Sequence, residues 1–66
     1  MDGMGARIKE AREELGMSTK ALAEILHVAE RTIRTWEQGT REPNSLELLR
    51  RLAIALNVDS NYLLGL

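Results

Sequence analysis

Apolar residues recur at three- and four-residue spacing from Ile8 to Leu64, the period of helices with one buried face. Ile8, Ala11, Arg12 and Leu15 form a first stripe, and Gly16 stops it. Ser18 or Thr19 is placed to cap a second helix, whose inner face reads Leu22, Ala23, Ile25 and Leu26. His27 and Val28 interrupt the pattern. A third stripe of Ala29, Ile33, Trp36 and Glu37 follows, and Gly39 ends it as a left-handed cap. Thr40 to Asn44 form a polar loop with the single proline, Pro43, which marks a boundary rather than a helix interior. Ser45 caps a fourth helix bearing Leu48, Leu49, Leu52, Ala53 and Leu56, closed by Asn57. Asp59 or Ser60 caps a short last turn with Tyr62, Leu63 and Leu64. The β-branched residues are scattered rather than alternating, so no strand is indicated. The pattern predicts an all-α, compact five-helix bundle: one domain over residues 1–66, with residues 1–5 as an N-terminal tail.

Composition narrows the chemistry. With 66 residues, 44% of them apolar and 29% charged, the chain reads as one small globular domain. Such a domain buries about 60% of its extended-chain surface, which leaves little spare stability. There is no cysteine and one histidine, which argues against disulfides, metal clusters, thiol nucleophiles and histidine triads. No metal and no cofactor are expected. Gly3, Met4 and Gly5 do not make a phosphate loop, because they follow no strand and lack its lysine and hydroxyl spacing. No nucleophile–base arrangement stands out, so an enzyme is not expected. No apolar run approaches the ~20 residues of a membrane span, and the N-terminus lacks a signal-peptide layout. The expectation is a cytoplasmic protein without a membrane partner.

Two charges lie on apolar stripes, Arg12 on the first and Glu37 on the third. A lone buried charge costs several kcal/mol, and these two have opposite sign, so they are expected to pair between helices one and three.

The second and third helices are separated by very few residues, and Ala23 is small enough to let them cross steeply. The stretch STKALAEILHVAERTIRTWEQGTREP resembles the helix-turn-helix of the phage Cro and repressor (XRE-type) family of DNA-binding proteins. The resemblance covers roughly residues 7–66 and rests jointly on ALAEIL, the ending I-x-x-W-E-x-G, and the closing LAIALNV and YLLGL. It implies a lambda-repressor-like domain whose third helix enters the DNA major groove, and an arginine–glutamate pair matching Arg12 and Glu37.

With Ala29, Ile33 and Trp36 turned inward, the third helix presents Glu30, Arg31, Arg34, Thr35 and Gln38 outward. By the resemblance, Glu30, Arg31 and Thr35 fall where the family contacts base edges, with Arg34 beside them. Arginine pairs with guanine, glutamate accepts from the cytosine amino group, and threonine touches a thymine methyl. On an arbitrary helix these would be a solvated face. Thr19 matches a backbone-contacting position of the family, and Ser18, Lys20, Gln38 and Arg41 are further candidates for phosphate contact.

Three features depart from the family pattern. His27 stands where glycine is usual and must accept a left-handed backbone. Ala29 stands where serine or threonine is frequent, at a cost of about 1 kcal/mol in capping. Between Ser18 and Pro43, Lys20, Arg31, Arg34 and Arg41 are matched by Glu24, Glu30, Glu37 and Glu42, so non-specific affinity for polyanions should be modest.

The expected function is sequence-specific binding of double-stranded DNA by a transcriptional regulator, a repressor acting as a homodimer on a palindromic operator. Leu46, Ile54, Tyr62 and Leu66 are candidates for the dimer contact, with core completion the competing role. The alternative is an interaction module on the same fold, antitoxin-like or an adaptor, with little DNA reading.

Overall fold

The computed structural model describes residues 3–66. Five helices follow one another: α1 (Met4–Glu14), α2 (Thr19–Leu26), α3 (Glu30–Gln38), α4 (Leu46–Leu56) and α5 (Ser60–Leu64). Their ends obey local chemistry. Ser18 Oγ accepts from the Ala21 amide at 3.0 Å, Ser45 Oγ from Leu48 at 3.1 Å, and Asp59 Oδ1 from Asn61 at 2.7 Å. Each satisfies one of the free N–H groups at a helix start. Ala29 precedes α3 in extended conformation and makes no side-chain cap. At the other ends, His27, Gly39 and Asn57 all adopt positive φ, as their positions required.

The core consists of Ile8 and Ala11 from α1, Leu22, Ala23 and Leu26 from α2, and Ile33 and Trp36 from α3. Leu49, Leu52, Ala53 and Leu56 of α4 and Leu63 of α5 complete it. α3 lies in the middle, packed against α1 on one side and α2 on the other. Its apolar residues anchor it while the opposite face stays open.

Several expectations need correction. Ile25, assigned to the inner face of α2, is half exposed, as is Leu15 at the end of α1. Ala29 caps α3 from outside the helix and is exposed instead of inward-facing. Tyr62 does not complete the core, since only Leu63 of the last turn is buried. Of the tail expected over residues 1–5, Met4 and Gly5 lie inside α1, Gly3 precedes it, and Met1 and Asp2 are outside the described residues. Gly5 is buried, and a Cβ there would stand 2.4 Å from the carbonyl oxygen of Trp36 and 2.7 Å from that of Glu37. The first turn of α1 therefore rests directly on the last turn of α3, at a distance only glycine allows.

α5 returns to α1, where the Tyr62 hydroxyl donates to Glu10 Oε1 at 3.3 Å. Partial burial, followed by the negative charge of Glu10, raises the phenol above its ordinary value of 10.0. Folding thus favours the neutral phenol. The contribution is present below the ordinary value and is lost as pH rises through the raised one. Absorbance titration of this single tyrosine should place phenolate formation above the ordinary midpoint, and Glu10→Gln should lower that midpoint without removing the whole shift.

Candidate nucleic-acid interface

An ion pair joins the third helix to the first, beside the apolar contacts of Ile33 and Trp36. Arg12 Nε donates to Glu37 Oε2 at 2.7 Å and Arg12 Nη2 to Glu37 Oε1 at 3.1 Å. The two-pronged contact holds α3 against α1, as expected from the two charges on apolar stripes. Arg12 Nη1 also donates to the Met17 carbonyl at 2.8 Å, which fixes the segment leading into α2. Only 12% of the arginine side chain and 9% of the glutamate remain exposed. The hydrogen bond to Glu37 raises the Arg12 guanidinium above its ordinary value, with burial acting in the opposite direction.

Fixed in this way, α3 turns Arg31, Arg34 and Gln38 to the exterior, with Glu30 and Thr35 half-buried at the border of the same face. Thr35 donates its hydroxyl proton to the Arg31 carbonyl at 2.8 Å, leaving its methyl group and oxygen lone pairs for a contact. Arg34 and Glu30 form an ion pair at 2.9 Å. The start of α2 lies beside the start of α3, because the Thr19 hydroxyl donates to Glu30 Oε2 at 2.7 Å. Thr19 therefore has no hydroxyl proton left for a phosphate in this arrangement. Ser18 does, since its oxygen is acceptor to Ala21. The amides of Thr19 and Lys20, in the first turn of α2, have no intrahelical acceptor and add two donors at the positive end of the helix.

Along α3, from Arg31 to Trp36, a groove of about 630 Å³ opens between the helix and the α3–α4 loop. Arg31, Thr32 and Thr35 line one side, Arg41, Glu42 and Asn44 the other, with Val28, Trp36 and Leu48 as its apolar part. Thr32 and Asn44 were not among the sequence candidates, because a groove between a helix and a later loop has no sequence period. Lys9 was also missed. It shares a recess with Arg34, Glu37 and Gln38, so α1 contributes a positive charge to the edge of the α3 face. Its spacing held a clue: Lys9 is three residues before Arg12, on the side of α1 that meets α3.

Among the described residues there are two ion pairs, Arg12–Glu37 and Glu30–Arg34, so around the α3 face Lys9, Lys20, Arg31 and Arg41 carry positive charge without an ion-pair partner, as Arg7, Arg50 and Arg51 do elsewhere. No group of three or more histidine, aspartate or glutamate side chains there could hold a metal ion, and no helix is long and apolar enough to cross a membrane.

The chain is similar in sequence and fold to known proteins. The transcriptional regulator ImmR of Bacillus subtilis is 37% identical over 62 residues, covering 94% of this chain and 48% of ImmR. The chain thus spans about half the length of that relative, and less of the other curated relatives it matches. The P22 c2 repressor, solved in complex with a synthetic operator, superposes with a TM-score of 0.90 at 36% identity, covering 97% of this chain and 96% of the repressor chain. SinR, a master regulator of biofilm formation solved in complex with DNA, gives 0.82 at 32% identity, covering 91% and 95%. The helix-turn-helix family model itself matches residues 8–63, from the core residue Ile8 of α1 to the core residue Leu63 of α5. By its five helices, its Arg12–Glu37 clasp and this match, the chain belongs to the helix-turn-helix family of Cro and phage-repressor (XRE) type.

Proposed function

We propose that the chain binds duplex DNA sequence-specifically as a cytoplasmic transcriptional repressor, inserting α3 into the major groove. The observation that carries this reading is the α3 face. One exposed helix surface carries Arg31 and Arg34 with Glu30 and Thr35 at its border, and further donors come from the α2 start and from the α3–α4 loop. Glu30, Arg31, Arg34 and Thr35 read base edges, while Ser18, Lys20, Gln38 and Arg41 hold phosphates together with the amide of Thr19. Two of the similar folds are repressor or regulator domains solved with DNA.

One domain of this size covers a half-site, and the operator is a palindrome read by a homodimer. Leu46, Ile54 and Leu66 favour this assembly, being 73%, 78% and 88% exposed on α4 and just beyond α5, with Tyr62 and Leu64 partly exposed nearby in the chain. Apolar side chains so open to water support burial against a second copy.

The test is fluorescence anisotropy with mixed-sequence duplexes across a salt series, beside an Arg31→Ala/Arg34→Ala variant checked by circular dichroism. Selective binding is expected, and the folded variant should lose that selectivity. Lys20 and Arg41, the two cations assigned to phosphates, imply a slope of log K against log salt of about −2 per domain. Absence of binding to any duplex, at low salt and at concentrations that drive association, would overturn the proposal.

A further inference from the structure

Glu30 is held from two sides. Its Oε2 accepts from the Thr19 hydroxyl at 2.7 Å and faces Arg34 Nη2 at 2.9 Å. Thr19 is the first residue of α2, and Arg34 stands one turn beyond Glu30 on α3. The carboxylate thereby links the start of one helix to the outward face of the next. Both contacts, the hydrogen bond and the ion pair, fall on Oε2, and Oε1 takes no hydrogen bond from the described residues. The Glu30 side chain keeps 35% of its surface exposed and Arg34 57%, so the paired heads remain open to a ligand.

A carboxylate only accepts, and a guanidinium only donates. In the major groove a cytosine offers a single strong group, its N4 amino donor. Guanine presents the acceptors O6 and N7, thymine the acceptor O4, and adenine sets the acceptor N7 beside its amino group. The free oxygen of Glu30 therefore matches cytosine and is repelled by the acceptors of the other three. The remaining donors of Arg34 match guanine O6 and N7.

We propose that the Glu30–Arg34 ion pair is a single reading unit for one C·G base pair of the half-site. Glu30 takes the cytosine and Arg34 the guanine, and Thr19 is the positioning residue that holds Glu30 in register. The proposal rests on the DNA-binding reading of α3 and adds to it the identity of a base pair and the role of Thr19.

Selection from randomised duplexes, followed by competition anisotropy on the preferred site and its single-pair variants, tests it. Wild type should favour C·G by about tenfold or more at one position of each half-site, and should reject the inverted G·C there. Glu30→Gln offers both a donor and an acceptor, as an adenine edge requires, so the preference at that position should move to A·T while the others stay. Thr19→Val should shrink the discrimination at that position alone, and Thr19→Ser should restore it. Circular dichroism checks that each variant is folded. An unchanged C·G preference in Glu30→Gln overturns the reading unit and leaves DNA binding by α3 intact. A uniform loss of affinity in Thr19→Val, with discrimination unchanged, overturns the positioning role. Failure of the wild type to bind any duplex overturns both readings together.

Discussion

Replacing Glu37 with alanine should lower the stability of the domain by about 3 kcal/mol, the low end of what removing one partner of a buried ion pair costs. The arginine left behind is the reason. Arg12 keeps its bond to the Met17 carbonyl, but its Nε and Nη2 lose both acceptors in a site where 12% of the side chain reaches water. A chain of 66 residues has a total stability of about 3–10 kcal/mol, so the loss is a large share of it. The variant should unfold at markedly lower urea concentration, with the slope of the transition unchanged. Replacing both residues together, Arg12→Met with Glu37→Leu, removes the stranded charge and should recover most of the loss. A double-mutant cycle by urea denaturation separates the two effects. If Glu37→Ala unfolds at the wild-type midpoint, the clasp is not what holds α1 to α3.

That clasp was legible from sequence because a charge on an apolar stripe is an anomaly, and two of opposite sign suggest each other. The caps were legible for a similar reason. Ser18, Ser45 and Asp59 stand before apolar periods, and His27, Gly39 and Asn57 stand after them, so local chemistry set the helix ends. Ile25 was misplaced because a short helix buries a narrow arc. Leu22, Leu26 and Ala23 span roughly 100° of α2, and Ile25 falls roughly 60° beyond Leu22 on the other side. Ala29 was drawn inward by its spacing to Ile33, although it sits before the first helical residue. In the interface, the outward face of α3 could be read from its own period. The partners that come from elsewhere could not: Lys9 from α1, Asn44 from the following loop, and the Thr19 hydroxyl on Glu30 all depend on how separate helices meet.

Gly5 depends on the same long-range geometry, and its substitution by alanine should cost about 2 kcal/mol, within the usual range for overpacking. Alanine is the better helix former by about 1 kcal/mol, so propensity alone predicts the opposite sign. The clash decides. The new methyl would meet two backbone carbonyl oxygens, Trp36 at 2.4 Å and Glu37 at 2.7 Å, and neither can rotate away as a side chain could. Either α1 lifts off or the last turn of α3 moves, and the second response carries Glu37, Gln38 and the edge of the interface with it. DNA affinity should therefore fall in Gly5→Ala even at temperatures where the variant remains folded. Gly3 supplies the control two residues away. It precedes α1 with φ −77, makes no side-chain cap, and has nothing within 4 Å of where a Cβ would stand. Gly3→Ser adds a capping hydroxyl and should raise stability by a few tenths of a kcal/mol. Thermal melts of the two variants should shift in opposite directions. A Gly5→Ala melt at or above the wild-type midpoint would mean that the contact between α1 and the end of α3 is looser than these distances.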